Sequence, residues 1–264
     1  MSESSSVLYE VQQSVATITL NRPESLNAMT NGLMKDLVDA LARVEADKSV
    51  RVVVITGSGR GFCAGADLAG QASAKPSDPK PDGKVDDHFN GAMRAIYNSS
   101  VPTVARVNGA AAGGGFGLAL ACDITVAAKN AFFVATFGPK LGIVPDLGTT
   151  WNLPRKAGRA RALGLAMLGD RITAEQAEAW GLIWKAVDDD LLDAEVELIT
   201  KKLARTSAAA MTRIRSVTDA ALDNSFSDQL DLEMEHQAVL IPKNMTEGAR
   251  AFMEKREPEF PGRN

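Results

Sequence analysis

Two glycine-rich segments decide the fold, and they read Gly61-Phe62-Cys63-Ala64-Gly65-Ala66-Asp67-Leu68 and Asn108-Gly109-Ala110-Ala111-Ala112-Gly113-Gly114-Gly115. Each follows a run of β-forming residues, at 52–56 for the first segment and at Thr103–Val107 for the second. Both segments consist mostly of small residues where the chain is predicted to turn out of a sheet. Backbone N–H groups from the two segments can therefore converge on one oxygen atom. Two such donors form an oxyanion hole, which stabilises an anion made from a carbonyl group.

The second segment continues into Phe116-Gly117-Leu118-Ala119-Leu120-Ala121, which is predicted to be a helix. The N-terminus of this helix would add a partial positive charge beside the same oxygen. A phosphate-binding loop is not indicated, because no Gly-Lys-Ser/Thr follows and the glycines do not have the G-x-G-x-x-G spacing. Either segment alone is more typical of close packing than of catalysis, so the indication of chemistry depends on the pair.

Composition argues against several classes of function. The 264 residues carry 29 Lys and Arg against 33 Asp and Glu, and the net charge of −4 does not favour a nucleic-acid partner. No apolar stretch approaches the length of a membrane span, and the N-terminus lacks the basic and apolar regions of a secretion signal. Cys63 and Cys122 lie among small apolar residues without metal-ligand spacing, so we expect reduced thiols, a cytoplasmic protein and no metal site.

The hydrophobic pattern along the chain predicts alternating strands and helices. Strands are predicted at Val7–Gln12, Val15–Leu20, 52–56, Thr103–Val107, 124–127 and Phe132–Val134, and helices at 31–47, 85–97 and after Gly115. From Gly158 onward the chain reads as helix throughout, with amphipathic segments at 191–205, 207–222 and 226–240, capping-box spacing from Thr173 to Gln176, and a helix stop at Gly181. The proline-rich stretch at 70–84 is predicted to be a mobile surface loop, which either closes over a ligand or has no role in chemistry.

The two segments, together with Asn21-Arg22-Pro23-Glu24-Ser25-Leu26-Asn27-Ala28 upstream, resemble the enoyl-CoA hydratase/isomerase (crotonase) superfamily over residues 7–260. The resemblance implies an α/β fold built as a spiral of ββα units, which periodicity alone does not distinguish from a doubly wound sheet. The implied organisation is a core over residues 1–200, with the coenzyme A and oxyanion sites, and a C-terminal helical region over 201–264. In relatives this region helps to form trimers, often stacked into hexamers, so we expect a homotrimer or hexamer.

The resemblance also assigns roles to individual residues. The backbone N–H groups of Ala66 and Gly114 would hold the oxygen of an acyl-CoA thioester, which makes coenzyme A part of the substrate and leaves no separate cofactor. The residues that match contacts to coenzyme A are Arg22, Ala28, Ala64, Asp67, Leu68, Phe252 and Lys255. Lys255 lies among other charged residues, so a solvated terminal charge is nearly as well supported as a contact to coenzyme A.

The acid–base groups depart from the pattern of the family's hydratases. Those enzymes activate water with two glutamates, and the matching positions here hold Gly117 and Gly138, neither of which can move a proton. The loop instead offers Asp146, the one acidic residue between Asp123 and Asp170. An Asp that follows Pro and precedes a helical run is also a common N-cap, but isomerases and dehalogenases of the superfamily carry a functional Asp at this position.

Asp146 and the oxyanion hole together indicate a proton shuttle. The apolar neighbours that we expect to raise the pKa of its carboxyl group are Ile143, Val144, Leu147 and Trp151. One carboxylate could take a proton from C2 of a 3-enoyl-CoA and return it to C4, which gives the conjugated 2-enoyl-CoA. Residues 140–190 are similar to the ring-epoxide isomerases of bacterial phenylacetate breakdown, which rearrange a ring-1,2-epoxyphenylacetyl-CoA to an oxepin, although Gly-Thr-Thr at 148–150 replaces the common Gly-Gly-Thr.

The leading interpretation is therefore an acyl-CoA isomerase, and two alternatives stay open. One is an atypical enoyl-CoA hydratase that activates water without the two glutamates. The other is a non-catalytic member of the fold that binds acyl-CoA or RNA, and the acidic net charge disfavours RNA. A dehalogenase-type role for His88 is less well supported than a solvated histidine at the start of a helix.

Overall fold

The computed structural model describes residues 5–69 and 88–263. The loop predicted at 70–84 and the first residues of the helix predicted at 85–97 lie outside the described residues. Within the described ranges the chain forms two β-sheets with helices packed against them.

The larger sheet forms the centre of the fold. Its strand order is β1 (Val7–Gln12), β2 (Val15–Leu20), β3 (Val52–Gly57), β5 (Thr103–Val107), β7 (Ile124–Ala128) and β10 (Lys185–Val187). Neighbouring strands run parallel except for β1 and β2, which are antiparallel. Every residue of β3 is buried, because a parallel strand inside such a sheet is covered on both faces.

The smaller sheet lies where the chain leaves the larger one. Its strand order is β4 (Gly61–Cys63), β6 (Ala110–Ala112), β8 (Phe132–Val134) and β9 (Ile172–Thr173). Each of β3, β5 and β7 is followed along the chain by a short strand of this second sheet and then by a helix. The repeat is therefore ββα, which confirms the spiral α/β fold that the family resemblance implies.

The helices pack around these sheets. They are α1 (Asn31–Ala46), α2 (His88–Tyr97), α3 (Gly114–Ala121), α4 (Thr149–Leu168), α5 (Ala174–Ala179), α6 (Leu192–Arg205), α7 (Ala208–Ala220) and α8 (Phe226–Glu254). The Thr30 hydroxyl caps α1 by accepting a hydrogen bond from Leu33 N at 3.1 Å. Gly158 kinks α4, because its φ of 79° and ψ of 161° are not helical.

The prediction of helix throughout from Gly158 was wrong, since β9 and β10 interrupt it. β9 pairs antiparallel with β8, and β10 extends the larger sheet beside β7. Strands of two and three residues are too short to produce a readable period. The predicted capping box is confirmed, because the Thr173 hydroxyl accepts from Gln176 N at 3.1 Å, and Gly181 has the positive φ of a helix stop.

Helix α8 is longer than predicted and exposes most of its apolar side chains. It continues through Pro242 to Glu254, past the predicted end at 240, and Ala251 is its only described residue that is buried. Phe226 and Phe252 are each about four-fifths exposed. Assembly into trimers or hexamers through this region stays a prediction, as does the domain boundary at residue 200, which falls inside α6.

The two faces of the larger sheet belong to separate apolar clusters. Val53 and Ile55 of β3 face the main core, while Val52 and Val54 face the opposite way, toward α6. None of the described helices combines the length and apolar character that a membrane crossing requires.

Asn27 joins the segment after β2 to the start of the first glycine-rich segment. Its side chain is fully buried, and Nδ2 lies 3.0 Å from Ser58 O, 2.9 Å from Gly61 O and 3.2 Å from Phe62 O. Its Oδ1 accepts a hydrogen bond from Arg22 N at 2.9 Å. One amide therefore satisfies several buried backbone groups that lead into the site.

Replacing Asn27 by Ala should lower the free energy of unfolding by about 3 kcal/mol, because these buried carbonyl groups lose their donor. Urea unfolding followed by circular dichroism measures the change. Asn224→Ala, at an exposed position between α7 and α8, is the matched control and should change stability by less than about 0.5 kcal/mol. An effect of Asn27→Ala no larger than that of the control would contradict the bridging role.

Candidate active site

Gly65 brings the two glycine-rich segments into contact. A methyl group on Gly65 would lie 2.8 Å from Ala112 O and 3.2 Å from Gly114 N, and the φ of this residue is +88°. A side chain is therefore excluded by space and by backbone conformation together. A methyl group on Gly115 would lie 2.1 Å from Cys63 O, so the close approach continues one residue further.

The backbone N–H of Ala66 is free to meet a ligand. Met29 N donates to Gly65 O at 2.7 Å, and Asp67 N donates to Met29 O at 2.9 Å, which forms a parallel β-bridge between Met29 and Ala66. Because residues 65 and 67 make these bonds, the N–H of Ala66 points to the other side of its segment. Ala66 is exposed, and its N–H has no hydrogen-bond acceptor among the residues that the structure describes.

The N–H of Gly114 begins α3 and likewise has no acceptor in the described parts of the chain. Helix α3 is buried along nearly its whole length, so the partial positive charge at its N-terminus is poorly screened by solvent. Since Gly65 packs directly against Gly114, these two free donors lie in adjoining segments. The predicted residues of the oxyanion hole, Ala66 and Gly114, are thus brought together.

Leu147 connects Asp146 to this pair of donors. Its side chain is buried, and a methyl group on Gly114 would lie 2.7 Å from Leu147 Cδ1. Leu147 and Gly148 have φ values of 49° and 73°, so the chain makes two left-handed steps directly after Asp146. A left-handed leucine costs about 1–3 kcal/mol and is a common mark of a functional turn. Thr149 N closes the turn by donating to Asp146 O at 2.9 Å.

The carboxyl group of Asp146 is exposed in the single chain, yet enough protein surrounds it for desolvation to raise its pKa above the ordinary 3.8. The direction agrees with the sequence prediction. The surroundings differ in part from that prediction, because Ile143, Val144 and Trp151 are 50%, 77% and 38% exposed and only Leu147 of the four is buried.

Of the two glycines that match the hydratase glutamates, Gly117 has no room for a side chain in this conformation, and Gly138 has little. A methyl group on Gly117 would lie 2.7 Å from Leu147 O and 2.8 Å from Thr149 Oγ1, and one on Gly138 would lie 3.0 Å from Ala166 O. Thr149 is fully buried, and its hydroxyl has no hydrogen-bond partner in the described structure. The sequence showed the altered Gly-Thr-Thr at 148–150 but not that Thr149 lies against Gly117.

Three of the predicted coenzyme A contacts form one network. Arg22 makes an ion pair with Asp67 at 3.0 Å and donates from Nη1 to Ala28 O at 2.6 Å. The Arg22 guanidinium lowers the pKa of Asp67, with a further bond from Ala69 N. Arg22 therefore stabilises the first glycine-rich segment through contacts within the chain. The spacing of residues in the sequence could not reveal these contacts.

The remaining predicted contacts lie in two places. Ala64, which is half-buried, and Leu68, which is 44% exposed, flank this network on the first segment. Phe252 and Lys255 lie at the far end of α8, and no hydrogen bond or ion pair joins them to the network within the described residues. The contacts of all these residues with coenzyme A stay predictions.

Across the described residues, no cluster of three or more His, Cys, Asp and Glu side chains has an arrangement that could hold a metal ion. Cys63 and Cys122 are free thiols, and burial raises the pKa of each to about 12. His88 is the first residue of α2.

Comparison with known proteins agrees with this geometry. The sequence model described as enoyl-CoA hydratase/isomerase matches residues 10–263. The 1,2-epoxyphenylacetyl-CoA isomerase of Escherichia coli (strain K12) is 42% identical, over 97% of this chain and 98% of that protein. The 2,3-dehydroadipyl-CoA hydratase of the same organism is 35% identical, over 98% of this chain and 100% of that protein.

A solved structure gives the same result. The crystal structure of an enoyl-CoA hydratase from Polaromonas sp. JS666 superposes with a TM-score of 0.90 at 33% identity, and the match covers 97% of this chain and 99% of that one. The agreement extends over the spiral core and the C-terminal helices. The chain therefore belongs to the enoyl-CoA hydratase/isomerase family.

Proposed function

We propose that this chain is an acyl-CoA isomerase in which Asp146 alone moves the proton. The observation that carries the proposal is the packing of Leu147 against Gly114, which joins the turn of Asp146 to the donors of the oxyanion hole. Gly117 and Gly138 leave the positions of the paired glutamates empty of carboxylates. A site with one carboxylate beside two free N–H donors suits proton transfer better than activation of water.

In the proposed reaction a 3-enoyl-CoA binds with its thioester oxygen between the N–H groups of Ala66 and Gly114. The ionised Asp146 takes a proton from C2, and the resulting dienolate is stabilised because its negative oxygen receives both hydrogen bonds. Protonated Asp146 then delivers the proton to C4. C2 and C4 flank the same carbon atom, so one carboxylate can serve both, and the product is the conjugated 2-enoyl-CoA.

A ring epoxide of phenylacetyl-CoA is the second substrate that we propose. The similarity to the 1,2-epoxyphenylacetyl-CoA isomerase supports it, together with the sequence resemblance over residues 140–190. The same thioester contacts to Ala66 and Gly114 would hold this substrate. Hydration is the competing reaction, since other relatives are named as hydratases.

Asp146→Asn should reduce the conversion of 3-hexenoyl-CoA to 2-hexenoyl-CoA by roughly 10²- to 10⁴-fold, because the amide cannot accept a proton. The assay follows conjugation of the double bond spectroscopically, with crotonyl-CoA hydration measured in parallel. Asp190→Asn, at an exposed position before α6, is the control and should keep full activity. Brisk hydration that survives in Asp146→Asn would instead identify a hydratase with another route to water.

Ala66→Pro should lower kcat for isomerisation by roughly 10²- to 10³-fold, because proline has no N–H to offer the enolate oxygen. The β-bridge to Met29 uses only Gly65 O and Asp67 N, so the substitution leaves those bonds available. Ala66→Gly keeps the donor and is the matched control. Equal rates for Ala66→Pro and Ala66→Gly, in proteins with equal melting temperatures, would remove Ala66 from the oxyanion hole.

The acid limb of the pH profile should belong to Asp146. The ionised carboxylate is the base, so kcat/KM should fall as pH drops through its pKa, and desolvation places that midpoint above 3.8. The measurement is kcat/KM for 3-hexenoyl-CoA against pH, limited to the range in which the fold is intact by circular dichroism. A midpoint at or below 3.8 would contradict the assignment.

A further inference from the structure

A cavity of about 490 Å³ lies at the C-terminal end of α3, between the core and helices α4, α6 and α7. The opposite end of α3 carries Gly114, and the eight residues of this helix separate the two places by roughly 10 Å. Much of the cavity wall is apolar, with Leu120, Ile124, Leu203, Met211, Ile214 and Leu222. Its volume lies within the range of small-molecule sites.

The acidic groups of this cavity already have partners. Asp123 receives two hydrogen bonds from Arg215, at 2.6 Å from Nε and 2.5 Å from Nη2. Asp219 receives one from the Tyr97 hydroxyl at 2.9 Å. Arg215 also donates to backbone carbonyl groups, including Ser99 O at 2.5 Å, so its guanidinium is fully used.

The basic groups are less well matched. Lys156 is half-buried and makes no hydrogen bond or ion pair within the described residues. Desolvation lowers the pKa of Lys156, and the attraction of the nearby Asp123 and Asp219 carboxylates offsets that effect only in part. Arg155 stacks over the Trp151 ring at 4.2 Å and reaches Asp223 only at 4.0 Å.

Among the charged side chains of the described wall, Lys156 is therefore the one without a hydrogen bond or an ion pair. Its ammonium group lies beside an apolar wall. An ammonium group taken out of water without a partner is costly, and a bound anion would relieve that cost. Arg155 and Trp151 present a flat cationic and aromatic surface along the same wall.

We infer that this cavity binds a small monocarboxylate with an apolar body, whose carboxylate pairs with Lys156 while its carbon chain lies against α7. The site is separate from the acyl-CoA site at the other end of α3. The inference does not depend on the isomerase reaction, since it concerns binding alone.

Octanoate is the probe, with 1-octanol and octylammonium as ligands of the same chain length but different charge. Isothermal titration of the intact protein should show that octanoate binds more tightly than 1-octanol and that octylammonium binds weakest. Lys156→Met keeps a similar length of side chain without the charge, and it should weaken octanoate binding roughly 10- to 100-fold. It should leave 1-octanol binding unchanged.

Lys201→Met is the matched control variant, because Lys201 is exposed on α6 and pairs with Glu197 away from the cavity. It should bind octanoate as the unmodified protein does. Lys156→Met should keep or raise the melting temperature, since it removes a desolvated charge. Equal octanoate affinity in Lys156→Met and Lys201→Met would overturn the proposal.

Saturating butyryl-CoA separates the proposed site from the acyl-CoA site. Octanoate should bind with the same affinity in its presence. Displacement of octanoate by butyryl-CoA would place the carboxylate in the acyl pocket and would overturn the proposal. Trp151 fluorescence should respond to octanoate, and the response should be absent in Trp151→Phe.

Discussion

The close approach of the two glycine-rich segments is the constraint on which the site depends. Gly65 lies against Gly114, and Gly115 lies against Cys63 O, at distances that exclude any side chain. This approach is possible only because each segment leaves the larger sheet from a neighbouring strand, β3 or β5, and enters the smaller sheet beside the other. The spiral of ββα units thus serves to place two backbone donors side by side. In the proposed mechanism, backbone donors fixed in this way need no reorganisation when charge develops on the bound oxygen.

The same constraint determines where Asp146, the proposed acid–base group, lies. Leu147 packs against Gly114 and Gly117, which are both residues of α3. The position of α3 therefore determines the position of the turn from Asp146 to Thr149. The strained φ of Leu147 is tolerated because the buried side chain is held on several sides. Desolvation then raises the pKa of Asp146, which suits a group that must accept a proton and return it. In the proposed mechanism the fold therefore supplies the donors and the carboxylate through one packed contact.

Much of this could be predicted from the sequence, and the failures have physical causes. β1 and β2 alternate over six residues each, and both were predicted with their observed bounds. The sequence analysis missed β4 and β6, because each has only three residues and shows no alternation of polar and apolar side chains. It missed β9 and β10 because these short strands form by pairing with strands far along the chain. Ala66, Gly114 and Asp146 were predicted through the family motif, and their catalytic roles stay predictions. The Arg22–Asp67 ion pair and the contact of Thr149 with Gly117 each join residues more than thirty positions apart. The second contact also depends on the strained turn at Leu147. No local sequence pattern encodes either contact.

The fold does not determine the choice between isomerisation and hydration, since relatives named as isomerases and relatives named as hydratases both match this chain over its length. Residue 117 alone does not determine it either. The nearest obstacle to a side chain at Gly117 is Leu147 O, a backbone atom, and the next is the buried Thr149 hydroxyl. A flexible side chain could move aside at little cost, but a backbone carbonyl moves only if the turn from Asp146 to Thr149 changes its conformation. That turn also carries the one carboxylate of the proposed shuttle. A second carboxylate at position 117 would therefore require a change in the turn that, in the proposed mechanism, positions the first.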